Sequence, residues 1–302
     1  MSNPMRFEYA LQEPAIATAP VFVALQKGPR KKLDVTFEFG GSTLQWRGPD
    51  ALAISEQSVL LGLVAMACQQ KFRLSLSQPS DAGRSLVSGL ALNGAFPMTD
   101  LVVLKSSWKN LTTAAGYRTT GGQNVRLTKA GVKRLAETTI WENRSGKEFQ
   151  SRILSWMEGD KEGVTIALNC RATDALCGGQ YVKISLSERH ALPDDSSKAL
   201  HAWLSAHMRP GSMRGYTIAK LQSHVWQGTA TGSTLRTRLG KLHAALLAIG
   251  ELPSWQCHFP STEFVEIQRF SSRNPLGKVG TIAAQNVPPA EGNQVAKGKL
   301  RN

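Results

Sequence analysis

The chain has 302 residues, 41% of them hydrophobic, enough to bury a sizeable core and, at the usual domain size, to build two domains. Lys and Arg number 36 against 22 Asp and Glu, and the resulting formal charge of +14 directs the protein towards polyanions. The longest apolar run, Val59 to Cys68, is far shorter than the about 20 residues of a spanning helix, and Met1 to Ala10 carries Glu8 and no export pattern, so no membrane partner and a cytoplasmic location are expected.

In chain order, residues 1–20 are read as a flexible arm. Leu33, Val35, Phe37 and Phe39 then alternate with polar residues up to Gly40-Gly41, and Leu44 and Trp46 follow, which predicts a β-hairpin. Ser55 with Glu56 opens an apolar segment to Cys68, which predicts a buried helix with Ser55 as its cap. Ser107 caps a helix from Trp108 to Ala115, Tyr117 to Gly122 breaks it, and Val125 to Ala136 resumes helical spacing. This pair is a helix-turn-helix, and the strands Thr138 to Trp141, Phe149 to Trp156 and Val164 to Leu168 after it make a wing.

The second half repeats the order. Tyr181 to Leu186 is extended, Ser196 to Met208 is helical after Pro193-Asp194-Asp195, and helices from Thr217 to Val225 and from Leu235 to Ile249 are joined by Gly228 to Gly232. Trp255 to Phe259 and Phe264 to Phe270 supply a second wing. At a constant offset of 110 (221 − 111), Leu111 falls on Leu221, Gly122 on Gly232, Val125 on Leu235, Arg126 on Arg236 and Val132 on Leu242, an internal repeat. From Ser271 to Asn302 aromatic residues vanish and Pro, Gly, Asn and Lys accumulate, so this stretch reads as a disordered basic tail. The expected fold is therefore α+β, with winged-helix domains over 21–172 and 173–270.

Charge is concentrated on the two helix-turn-helix pairs. No acid lies between Asp100 and Glu137, a window holding Lys105, Lys109, Arg118, Arg126, Lys129, Lys133 and Arg134. None lies between Asp195 and Glu251, which holds Lys198, Arg209, Arg214, Lys220, Arg236, Arg238 and Lys241. Basic side chains bind phosphates without regard to sequence, and a helix in the major groove adds base-edge contacts from Arg, Gln, Asn, Ser and Thr. The expected DNA-contacting set is Ser233, Thr234, Arg236, Thr237, Arg238 and Lys241 on the second helix, and Arg118, Gln123, Asn124, Arg126, Lys129 and Lys133 at the first. The plainer alternative for any one of them is a solvated helix face.

Enzymatic chemistry finds no foothold in the sequence. There is no phosphate loop, no G-x-S-x-G elbow and no H-E-x-x-H zinc site, and the six histidines never form the His-x-His of metal-dependent relaxases. Glu158, Asp160 and Glu162 read as a hairpin turn rather than a cation site, and Asp194 and Asp195 as helix-start residues. Cys68, Cys170, Cys177 and Cys257 form no C-x-x-C pair and are expected to be reduced, buried thiols. No cofactor, metal or catalytic residue is expected.

Lys32-Leu33-Asp34-Val35-Thr36-Phe37, Gly48-Pro49, the run Leu61 to Ala67, Gly178 to Ser185 with Arg189, Ala191 and Leu192, Val225-Trp226, and Gly232 to Arg236 together resemble RepC, the iteron-binding replication initiator of IncQ-type plasmids. The resemblance runs in blocks over residues 20 to 260. It implies a protein that binds direct repeats at a plasmid origin through paired winged helices, promotes local opening of A·T-rich DNA and recruits a plasmid helicase, without catalysis of its own. A primase and a second copy of the chain are further partners it leaves open. The family's second recognition helix is more densely basic than Leu235 to His243, and the tail after Phe270 is an addition. A winged-helix transcriptional regulator and a DNA-nicking enzyme are the alternatives.

Overall fold

The protein is described from a computed structural model that covers residues 7–25, 28–70, 73–74, 101–159, 163–169, 172, 175–176 and 179–271. The expectations for the basic tail beyond Ser271, for Asp160 and Glu162, and for Cys170 and Cys177 lie outside these residues.

The first elements depart from expectation. Residues from Tyr9 onward, read as a flexible arm, are built into the fold: β1 (Tyr9–Gln12) leads into the short helix α1 (Pro14–Thr18), which buries Ala15, Ile16 and Ala17, and then into β2 (Phe22–Val23). Alternating Ala10 and Gln12 point inward, and Pro14 at the start of α1 with Glu13 capping the Ile16 N–H fixes the helix entry. The hairpin forms where the alternation places it, as β3 (Leu33–Phe39) and β4 (Ser42–Gly48), with Gly40 and Gly41 at φ of 59° and 77° supplying the left-handed turn. β5 (Leu52–Ala53) pairs in parallel with β2 and runs into α2 (Ile54–Gln70).

α2 is apolar all round and accordingly buried, the axis on which the first half is built. Ser55 lies inside its first turn rather than at its cap; the Glu56 carboxylate takes the Ala53 N–H at 2.7 Å. Buried Glu56 also accepts from Arg30 at 2.8 Å and Arg134 at 3.0 Å, tying the chain before β3 to the helix that follows the turn. β6 (Arg73–Leu74) and β7 (Leu101–Ser107) precede α3 (Trp108–Ala114), capped by Ser107 as expected, and α4 (Gly122–Glu137). A Cβ on Gly62 would come within 2.9 Å of the Ala114 backbone, so only glycine lets α2 and α3 cross this closely.

The expected strand Phe149 to Trp156 is two strands in two sheets. β8 (Thr139–Arg144) and β9 (Lys147–Arg152) extend the hairpin into the order β3-β4-β8-β9. Ile153, fully buried, turns the chain, and β10 (Leu154–Glu158) and β11 (Gly163–Leu168) join the order β10-β11-β7-β6. The second half contains β12 (Val182–Ser185), α5 (Leu186–Ala191), α6 (Asp195–His207), β13 (Ser212–Thr217), α7 (Ile218–Val225), α8 (Gly232–Gly250), β14 (Trp255–Ser261) and β15 (Phe264–Arg269). β12 pairs antiparallel with β1, and one apolar cluster runs from Ala10 to Ile267. The two halves share a core.

The order of elements recurs between the halves. In each, a buried helix (α2, α6) is followed by a strand (β7, β13), a capped helix (α3, α7), a longer helix (α4, α8) and two strands (β10–β11, β14–β15) that pair back in the orders β7-β11-β10 and β13-β15-β14. Strand β6, between α2 and β7, and the hairpin β8–β9 are additional in the first. The caps Ser107 and Thr217, the helix starts Gly122 and Gly232, and buried Leu111 and Leu221 keep the offset of 110 (217 − 107).

Two clusters of polar and aromatic side chains bind the second half internally. Glu188 accepts from His201 Nε2 at 3.0 Å and Trp255 Nε1 at 3.1 Å, joining α5, α6 and β14. Burial opposes its charge, but the hydrogen bonds from His201, Ser254 and Trp255 outweigh it and hold Glu188 at about 2. Burial pushes fully enclosed His201 down, so it sits neutral and donates, and His224, stacked 4.2 Å from Trp203, is lowered by burial and then by His207 to about 4. Each histidine is neutral in the fold but protonates freely below its ordinary value of 6.5 once unfolded; its contribution is intact above 6.5 and lost as pH falls, and that of Glu188 follows between 4.5 and about 2. Stability measured by denaturant titration is expected to drop between pH 7 and pH 5, on the order of 1 kcal/mol per pH unit for a fully buried histidine. A flat profile over that range would contradict the neutral assignment.

The turn between α3 and α4 rests on the second half. Gly116 has φ of 87°, and a Cβ there would lie 2.4 Å from His190 Cδ2 on α5. Gly116→Ala is expected to cost about 1–3 kcal/mol, from strain and from displacing the imidazole, read as a lowered midpoint of thermal unfolding.

Candidate nucleic-acid interface

α4 and α8 begin alike and differently from the helices around them. Ser107, Ser185, Asp194 and Thr217 each cap a following helix through a side chain, whereas Gly121 before α4 and Thr231 before α8 provide no side-chain hydrogen bond. Both helices bury one stripe: Thr128, Gly131, Val132 and Leu135 on α4, and Leu242, Ala245, Leu246 and Ile249 on α8. The Thr112 hydroxyl donates to Thr128 at 3.0 Å and fixes α3 on α4 from inside.

The opposite faces carry most of the expected residues. Gln123, Arg126 and Lys133 on α4, Arg118 in the turn before it, and Ser233, Thr234, Arg236, Thr237 and Lys241 on α8 are exposed. Arg118, Arg126, Lys133, Arg236 and Lys241 make no ion pair among the described residues. Arg126 and Arg236, 110 apart (236 − 126), occupy the same place on the two helices, in the second turn from the N-terminus. Thr237 donates its hydroxyl to the Ser233 carbonyl at 3.0 Å, an intrahelical bond that uses its proton and leaves its oxygen able to accept.

Three of the expected residues are otherwise engaged. Arg238 is 9% exposed: it donates to the Gly228 carbonyl at 2.9 Å, reaches Gln227 O at 3.4 Å and lies over Trp226, so it closes the α7–α8 turn. The spacing Leu235, Arg238, Leu242 already puts it on the buried stripe, at the position of Thr128. Asn124 is half-buried and donates to Thr119 O at 2.9 Å and Thr119 Oγ1 at 3.0 Å, bracing the first turn. Lys129 pairs with Glu158 on β10 at 2.6 Å above the Trp108 ring, and the hydrogen bond from Lys129 holds Glu158 below the ordinary carboxylate range. Arg134, from the same acid-free window, pairs with Asp50 at 3.2 Å and Glu56.

Residues 5–270 match the family described as Replication protein C (RepC). The chain belongs to that family. As a RepC protein it works in DNA replication. No curated protein matches it. Two crystal structures of domains 2 and 3 of RctB match in fold, with TM-scores of 0.52 and 0.51 at 8% and 9% identity, over 85% and 87% of this chain and 98% and 99% of those chains. At such identity the likeness is one of fold alone, and it extends over both halves of the RepC chain.

Among the described residues no cluster of three or more His, Cys, Asp or Glu is placed to hold a metal ion, and no helix is long and apolar enough to cross a membrane. Cys68 and Cys257 are half-buried and in no disulfide among the described residues, and burial pushes Cys257 up to about 12.

Proposed function

We propose that this RepC protein initiates replication by binding direct repeats at a plasmid origin, with α4 and α8 as the major-groove helices of two winged-helix units. The observation that carries the reading is the pair of exposed helix faces with Arg126 and Arg236, neither in an ion pair among the described residues, at matched positions in a repeated order of elements. A free guanidinium can make the bidentate contact to guanine O6 and N7 that discriminates bases, and the surrounding lysines supply phosphate contacts. β10–β11 and β14–β15 are the wings in this reading. Local opening of A·T-rich DNA and recruitment of a helicase follow from the IncQ-type resemblance, and the protein adds no catalysis of its own.

The two units differ in sequence and follow one another in one chain, so a single copy suits two non-identical half-sites in tandem rather than a palindrome. Competition between duplexes carrying tandem repeats and an inverted arrangement of the same half-sites tests this. Preference for the tandem arrangement is expected. Preference for the inverted one would favour a dimeric regulator, and metal-dependent nicking of supercoiled plasmid would overturn the non-enzymatic part of the proposal.

A further inference from the structure

Two surface cavities meet at the turn between α7 and α8. One, of about 730 Å³, has Lys32 and Thr36 on one wall and Trp226, Thr229 and Ala230 on the other. Its neighbour, of about 280 Å³, lies between Lys31 and the same turn at Gln227 and Gly228. A first-half segment therefore borders the turn that leads into the second-half helix.

That segment is firmly held. Ala24 N–H donates to the Val225 carbonyl at 2.9 Å, the Lys31 carbonyl accepts from Ala51 N–H at 2.6 Å, and Arg30 is locked onto Glu56 and the Ala51 carbonyl. Lys31 and Lys32 themselves are exposed and make no ion pair among the described residues. The nearest carboxylate in sequence, Asp34, is already engaged by Gln45 at 3.0 Å and Arg47 at 3.7 Å. Two ammonium groups are thus displayed on fixed backbone beside a helix-turn-helix turn.

We propose that Lys31 and Lys32 contact the DNA backbone beside the half-site entered by α8, so that the first half of the chain supplies phosphate contacts to the second-half motif. The inference rests on the DNA-binding reading above. A lysine is a point charge on a flexible stem, suited to phosphate rather than to planar base recognition. Held backbone means that little ordering entropy is lost when the contacts form.

The test uses the full chain carrying Lys31→Ala with Lys32→Ala, both at exposed positions. Each phosphate contact adds about 0.9 to the slope of log affinity against log salt, so the double variant is expected to lose about 2 units of slope, equivalent to a roughly tenfold smaller loss of affinity between 50 and 200 mM salt. The ratio of repeat to scrambled binding is expected to stay unchanged. In phosphate-ethylation interference, signals should vanish beside the base pairs at which Arg236→Ala relaxes preference and persist beside those governed by Arg126. An unchanged slope and footprint would overturn the inference, and signals lost at the Arg126 half-site would overturn the assignment to α8. A wild-type protein with no repeat preference would defeat the parent reading alone, because the slope still decides whether the lysines touch phosphate.

Discussion

Arg189→Ala is expected to destabilise the protein by about 3 kcal/mol, with a large fall in the midpoint of thermal unfolding. The Arg189 side chain is 1% exposed and sits between the halves: it donates to the Lys198 carbonyl at 2.7 Å, Gln57 Oε1 at 2.9 Å and Ser58 Oγ at 3.1 Å. Burial lowers it to about 9, which still leaves it charged at neutral pH. Removing it strands acceptors on both α2 and α6 and opens a cavity that the shared core cannot readily close. Arg189→Lys keeps the charge, but one ammonium cannot span the acceptors that the planar fork reaches, so an intermediate loss is expected. A cost below about 1 kcal/mol for the alanine variant would mean that Arg189 does not bridge the halves. Because those halves share one apolar cluster, the wild-type chain should also unfold in a single transition.

Arg236→Ala should leave stability intact and weaken repeat binding by about 1–3 kcal/mol, roughly 5- to 150-fold, with relaxed preference at one position of the repeat. Arg126→Ala should do the same at a different position, since the two residues are equivalents on separate helices. Arg238→Ala provides the contrast. Its guanidinium closes the α7–α8 turn from inside, so its loss should lower stability and leave the base preference of whatever folded protein remains. Base preference that follows Arg238 rather than Arg236 would reverse the assignment of inner and outer faces on α8.

What the sequence revealed was local or repeated. Gly40-Gly41 between alternating strands needs no tertiary context, and Ser107 caps α3 through its own neighbour's N–H, so both were legible. The offset of 110 was visible because helices that start at the same spacing bury the same stripe twice, as Val132 and Leu242 show. The rest depends on contacts far apart in the chain. β1 pairs with β12 more than 150 residues away, and Tyr9 to Thr18 has no pattern of its own that announces this. A single buried residue, Ile153, splits one apparent strand between two sheets. Around α4, windows free of acid in sequence are not free of it in space: Glu158 reaches Lys129, and Asp50 and Glu56 reach Arg134.

Selective binding of duplex repeats by this RepC protein is the reading to test first, by titrating the purified chain against fluorescent duplexes carrying IncQ-type origin repeats or a scrambled control over a series of salt concentrations. Tighter binding to the repeats is expected, a difference that survives moderate salt because base contacts add to the phosphate contacts. Equal binding to both duplexes, lost in parallel as salt rises, would contradict it and leave only a basic surface attracted to any DNA.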